Sequence, residues 1–300
     1  MIDIKLLEQL CLCNGISGDE GNVRNLIINE IKDCADDIKT DNLGNLIVFK
    51  KGKKSAKSKL MVSAHMDEVG LMVTDITSDG YLKFDEVGGI DRRVLPGKRV
   101  CVGRNGLNGV IGVKPIHLTN GDEKTAVPKM NDMYIDIGAE SREDALKYVN
   151  YGDGINFEGD FKINGKTVVT KALDDRFGCY VLINLIKSEP EYDMYFTFVV
   201  QEEVGLRGAR SAAFTVNPDF ALVIESTTAA DVAEVDVSHQ VCNLSKGATV
   251  TVMDRATVYD KEMISAAFEL AEKNNIAVQY KRAVAGGNDS GAIHQSRGGV

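Results

Sequence analysis

The chain has 300 residues, enough for one large domain or two modest ones with a substantial buried core. A hydrophobic share of 44%, a charged share of 26% and a net charge of −9 describe an ordinary soluble, acidic protein and argue against a phosphate-neutralising nucleic-acid binder. No apolar run approaches the ~20 residues of a membrane-spanning helix, so no membrane partner is expected. The first residues lack the basic-then-apolar order of a signal peptide, and the six cysteines include no C-x-x-C pair. Reduced thiols in a cytoplasmic protein are the expectation, not a disulfide scaffold or a cysteine-built zinc site.

In chain order, Leu6, Leu7 and Leu10 recur at helical spacing before Gly15 breaks the run. Ser17-Gly18-Asp19-Glu20 then has the S-x-x-E form of a capping box ahead of Val23, Leu26, Ile27 and Ile31. Glu20 is therefore read as a helix-start residue. Gly44 to Phe49 predicts a strand, and the lysine-rich stretch from Lys51 to Lys59 a solvated hairpin loop. Leu60 to Ala64 predicts a short buried strand that delivers His65.

From residue 71 to 162 the texture changes, and thirteen of the 29 glycines fall there. Short apolar stretches such as Arg99–Val102 and Gly109–Val113 alternate with turn residues, which predicts a compact β-rich unit. After Gly165, strands are expected at Thr167–Thr170, Tyr195–Val200 and Phe220–Ile224, the last two buried. Helices are expected at Arg176–Lys187 and Gly205–Phe214. Apolar strands alternating with helices indicate an α/β fold: a central sheet with helices on both faces, split by a β-rich insertion. Residues 1–70 and 163–300 form the α/β domain in this reading, and residues 71–162 the insertion.

Chemistry-bearing residues cluster just past the predicted strands. His65 and Asp67 follow the first, Asp174 and Asp175 the second, Glu202 and Glu203 the third, and Glu225 ends the fourth. Taken singly, each has a plainer reading: a His-x-Asp step is often an exposed loop, and adjacent acid pairs usually begin helices. Ligand sites of open α/β sheets lie at the carboxyl ends of the strands. Carboxylates crowded there repel one another unless a cation compensates them. One histidine among several carboxylates suits zinc, cobalt or manganese better than magnesium or calcium. The other three histidines, His117, His239 and His294, are read as structural or surface residues.

The stretches S-A-H-M-D-E-V-G, K-A-L-D-D-R-F-G, Q-E-E-V-G-L-R-G-A and G-G-N-D-S-G-A-I-H resemble, in order and spacing, those of the tetrahedral or glutamyl aminopeptidases. Some members of that family carry an endoglucanase label. The resemblance spans nearly the whole chain. It implies a central mixed sheet of the phosphorylase/hydrolase-like peptidase fold, interrupted by a β-rich dimerisation domain at 71–162. It also implies dimers, possibly assembled to a dodecamer, peptide substrates, and two divalent metal ions per subunit, with zinc or cobalt favoured and manganese the further option.

The same resemblance assigns roles. His65 binds one metal and Asp67 fixes its tautomer; Asp174 bridges both metals, through a cis bond to Asp175; Glu203 binds the second metal and Glu225 completes the first. Glu202 is the general base. Glutamate at 225 stands where many members have aspartate, and Asn288 where the substrate-side loop usually reads G-G-T-D. The family pattern places a final histidine ligand after a further strand, past the point where this chain stops at Val300.

Three readings follow. The leading one is a metal-dependent aminopeptidase acting on short peptides. A scaffold or assembly subunit without catalysis is the second. Glycoside hydrolysis by Glu202 and Asp175 is the third, and the absence of tryptophan speaks against it.

Overall fold

The computed structural model describes residues 3–121 and 125–300. Helix α1 (Ile4–Leu12) opens on Asp3, whose carboxylate accepts the Leu6 amide at 3.1 Å, and buries Leu6, Leu7, Leu10 and Cys11. Helix α2 (Gly21–Ile31) buries Val23, Ile27 and Ile31, one face at helical spacing. The expected capping box before it does not form. Glu20 occupies the N-cap position itself without capping the helix, and its carboxylate instead accepts the amides of Gly18 and Gln201. The Ser17 hydroxyl donates to Asp67. Both side chains are claimed by distant partners that a local motif does not encode.

Strands β1 (Asp37–Thr40) and β2 (Leu46–Lys50) form a hairpin, and β3 (Leu60–His65) follows. The lysine-rich connection is largely exposed, as expected, but it is not a hairpin, because a later strand lies between β2 and β3. Next come β4 (Gly70–Ile76), β5 (Leu82–Val87), β6 (Arg99–Val102), β7 (Leu107–Val113), β8 (Met133–Asp136), the short helix α3 (Arg142–Ala145) and β9 (Gly154–Phe157). These strands close a barrel in the order β4-β5-β8-β7-β6-β9. Leu71, Val73, Phe84, Ile111, Ile135 and Ile155 belong to its separate core.

Strands β10 (Lys162–Asn164) and β11 (Thr167–Val169) pair only with each other. The sequence reading placed Thr167–Thr170 in the α/β sheet, and this corrects it. Helix α4 (Leu173–Lys187) then starts with Asp174 and Asp175 in non-helical conformations and is regular from Arg176. The chain continues through β12 (Met194–Val199), α5 (Arg207–Val216), β13 (Phe220–Val223), β14 (Ala248–Val250), α6 (Lys261–Lys273), β15 (Val278–Tyr280) and α7 (Ser290–Ile293).

The central sheet runs β1-β2-β12-β3-β13, with β12, β3 and β13 parallel and β2 antiparallel to β12. Strand alternation divides its side chains between two cores. Val62, Ala64, Phe196 and Phe198 pack with α1, α2 and α4, while Met61 and Val199 pack with α5 and α7. The fold is therefore mixed α/β with helices on both faces of the sheet. One expected buried strand is not buried: β13 is the edge, with Phe220 50% and Leu222 46% exposed. Strands β14 and β15 pair in parallel with each other and do not extend that edge. No helix among the described residues is long and apolar enough to cross a membrane.

Candidate metal centre

His65 is the last residue of β3 and is buried to 1% exposure. Its Nε2 lies 3.2 Å from Asp174 Oδ1 and 3.3 Å from Glu225 Oε1. Its Nδ1 lies 3.1 Å from the carbonyl oxygen of Asp67 and 3.5 Å from Asp67 Oδ1. Burial alone would lower the imidazole pKa, but hydrogen bonds to Asp174, Asp67 and Glu225 outweigh it and hold it well above the ordinary value.

Asp67 is fully buried at the turn after β3. Its Oδ2 accepts the Ser17 hydroxyl at 2.5 Å and the Glu203 amide at 3.2 Å, and its Oδ1 accepts the Glu202 amide at 3.0 Å. Burial works against its charge, yet the His65 ring and these donors pull its pKa below the usual carboxylate value.

Glu202 and Glu203 leave the end of β12 in a tight turn, closed by the amides of Gly205 and Leu206 donating to the Glu202 carbonyl. Both are half-buried. Burial raises Glu202 to about 9, with Asp289, Glu225 and Glu203 adding to it against the pull of His65. Burial likewise raises Glu203 to about 7, opposed by His65 and reinforced by Asp174 and Asp67.

Glu225 follows the edge strand β13 and is raised to about 7, mainly by burial; its Oε2 is buried without a hydrogen-bond partner. Asp174 is exposed at the head of α4, and its bond to Asp175 is cis, as the resemblance implies. It does not end a strand of the central sheet, in contrast to the sequence reading. Hydrogen bonds to His65 and Glu225 lower its pKa against the effect of burial.

Asp175 lies outside this group of donors. It is fully buried, and its Oδ1 accepts the Gly178 amide at 3.0 Å. A sugar in solvent has no access to it, which removes the carboxylate pair that glycoside hydrolysis would require.

Among the described residues, two sets of donor atoms lie within 4.8 Å of one another: His65, Asp174 and Glu225 in one, His65, Glu202 and Glu203 in the other. His65 is common to both. Asp174 and Glu203 are not brought into a single set. Converging carboxylates, an imidazole nitrogen and an orphaned buried oxygen on Glu225 together fit a divalent metal cation.

His117 and His239 are exposed, and His294 is half-buried with Nδ1 2.7 Å from the Ser290 carbonyl. Sequence reasoning took Glu20 for a helix start, assigned Ser17 only to the capping box, and placed Asp289 only in the G-G-N-D stretch of the substrate-side loop. Asp289 is completely buried, both its oxygens lack partners, and burial raises it to about 8. No local signal distinguishes Ser17 or Glu20 as part of the site.

The family profile of the M42 glutamyl aminopeptidases matches residues 44–300. A provisionally named aminopeptidase of Acetivibrio thermocellus is 44% identical over 98% of this chain and 87% of its own length. The lysyl aminopeptidase of Pyrococcus furiosus is 33% identical over 100% of this chain and 87% of its own. Among solved structures, the fold is similar to that of the Pyrococcus horikoshii TET1 peptidase, described as assembling into a tetrahedron or a large octahedral shell. The TM-score is 0.85 and the identity 40%, with 98% of this chain and 88% of that one covered.

Proposed function

The chain belongs to the M42 glutamyl aminopeptidase family, and from that premise we propose that it is a two-metal aminopeptidase that removes N-terminal residues from short peptides. The observation that carries this reading is the position of His65 between two converging sets of carboxylates.

His65, Asp174 and Glu225 would hold one ion, and Glu203 would help to hold the second; zinc or cobalt suits these donors best. When bound, the ions would polarise the scissile carbonyl and favour ionisation of the attacking water. Glu202 takes a proton from that water and returns it to the leaving amine. Without cations, burial and the neighbouring carboxylates favour its protonated form; bound divalent ions would favour the carboxylate and free it to take that proton. Asp67 accepts a hydrogen bond from His65 Nδ1, which would leave the Nε2 lone pair facing the site. Crowded carboxylates also provide a seat for a free substrate ammonium group.

The barrel between β4 and β9 has its own core, which supports reading residues 71–162 as an inserted dimerisation unit and residues 1–70 and 163–300 as the catalytic unit. Association of such dimers into a larger homo-oligomer is the assembly proposed here; the Pyrococcus horikoshii relative is described as assembling into a tetrahedron or a large octahedral shell. Free thiols at all six cysteines support a cytoplasmic enzyme.

The test compares unblocked peptides with their N-acetylated forms in the presence of zinc or cobalt. Release of free amino acids from the unblocked set alone is expected, and Glu202→Gln should abolish it with metal still bound. Equal cleavage of blocked peptides would sink the exopeptidase reading.

A further inference from the structure

Three consecutive backbone amides carry the glutamate pair into the site, and each one donates to a carboxylate. Gln201 donates to Glu20 Oε1 at 3.1 Å, Glu202 to Asp67 Oδ1 at 3.0 Å and Glu203 to Asp67 Oδ2 at 3.2 Å. Both carboxylates are anchored in turn to the segment between α1 and α2. The Gly18 amide donates to the same Glu20 oxygen at 2.7 Å, and the Ser17 hydroxyl donates to Asp67 at 2.5 Å.

Gln201 needs such a hold. Its φ is +56°, in the left-handed region that residues with a side chain seldom adopt without support. Glu20 is 4% exposed and Ser17 4%, so their hydrogen bonds form away from competing water. A carboxylate that accepts backbone amides is a strong, directional anchor.

We propose that Glu20 is a positioning residue for this site: with Asp67 and Ser17 it brackets the backbone of residues 201–203 and so sets where the Glu202 and Glu203 side chains stand relative to His65. The proposal rests on the two-metal reading for its catalytic consequence, but the bracket itself is independent of that reading. Glu20 touches no reacting atom. It acts through the Gln201 amide.

The experiment compares wild type, Glu20→Ala, Glu20→Gln and Glu20→Asp by peptide hydrolysis, by cobalt titration followed in the visible spectrum, and by thermal melting. Loss of the bracket in Glu20→Ala should lower kcat about 10–100-fold with KM within about twofold, since displacement of catalytic groups by ~1 Å has effects of this size. Cobalt should bind the weaker of its two sites about tenfold less tightly, with the stronger site unchanged. Glu20→Gln keeps an oxygen able to accept both amides and should restore both readouts to within about threefold.

Glu20→Asp keeps the charge but shortens the reach. It should resemble Glu20→Ala, and it decides the matter if the alanine variant does not fold. Wild-type kcat and cobalt affinities in Glu20→Asp, or a Glu20→Gln protein as impaired as Glu20→Ala, would overturn the proposal. A wild-type protein inactive on every peptide would count against the aminopeptidase reading, while the cobalt titration would still decide the role of Glu20.

Discussion

His65 and Asp67 are two residues apart, and the Nδ1 of the first lies 3.1 Å from the main-chain oxygen of the second and 3.5 Å from its carboxylate. With Nδ1 engaged, Nε2 is the nitrogen that meets Asp174 and Glu225. The surrounding carboxylates favour the protonated imidazole, and a metal binding at Nε2 competes with that proton.

That competition fixes the sign of the pH dependence of stability. In the metal-free fold Glu202 is raised from 4.5 to about 9, Glu203 and Glu225 to about 7, and His65 above 6.5. A raised folded-state pKa contributes stability that is full below the unfolded value and lost as pH rises through the folded one. Asp67 and Asp174, held below 3.8, lose their contribution only in acid and do not reverse the trend. Thermal melts in chelator should therefore fall by several degrees between about pH 5.5 and 9. Added zinc should raise Tm more at the alkaline end, because protons no longer compete. A chelated protein that gained stability across this window would contradict the site electrostatics.

Asp67 serves both the imidazole and the glutamate turn, so its amide variant should affect more than one readout. Asp67→Asn keeps the volume but loses charge and one acceptor. Metal affinity should drop about 10–100-fold, the range found when the partner of a ligating histidine is lost. Hydrolysis should fall even at saturating metal, since the Glu202 and Glu203 amides lose part of their hold. Full activity restored by excess metal would confine Asp67 to the histidine.

Much of this site is legible in the sequence because β3 and β12 are largely buried on both faces and read as apolar runs broken only by Ser63 and Thr197. His65, Asp67, Glu202 and Glu203 follow directly from where those runs end. Asp174 follows a strand that is not part of the central sheet: Thr167–Val169 resembles any short strand, and only long-range pairing tells a two-stranded hairpin from a central sheet. The same limit applies to Lys51–Lys59, where insertion of β12 between β2 and β3 turns a supposed hairpin into a longer connection. Ser17 and Glu20 show it most clearly. Their spacing is that of a capping box, but their hydrogen bonds go to residues 50 and 181 positions away.

The barrel also reaches the site. Gly88, just past β5, has φ +87°, and a Cβ there would lie 2.9 Å from Val69 Cγ1 and 3.2 Å from Glu203 Cβ. Gly88→Ala combines a disfavoured backbone conformation with pressure on a proposed metal ligand. Stability should drop by about 1 kcal/mol or more. Activity should fall further than this loss explains, with weaker binding of one metal. The conservative control is Gly89→Ala, where a Cβ meets nothing within 4 Å. Equal behaviour of the two variants would show that the barrel turn leaves Glu203 undisturbed.

Behind the site, Glu68 joins the end of β3 to the turn that carries Asp174. Lys171 Nζ lies 2.8 and 3.1 Å from its two carboxylate oxygens, and the fully buried Arg176 guanidinium lies 3.5 Å from one of them. Arg176 also donates to the carbonyls of Leu10, Cys13, Gly15 and Met66, so it keeps partners if Glu68 is lost. Among the described residues, Lys171 Nζ retains only the Asn14 side-chain oxygen. Removing one member of a buried ion pair leaves an uncompensated charge and costs about 3–5 kcal/mol, whereas replacing both members with apolar groups is often nearly neutral. Glu68→Leu should therefore be strongly destabilising, and Glu68→Leu with Lys171→Met less so than the sum of the single changes. Urea unfolding of the two single variants and the double variant gives the coupling directly. Strict additivity would mean that Lys171 and Glu68 do not share one interaction, and that the Asp174 turn is held by Arg176 alone.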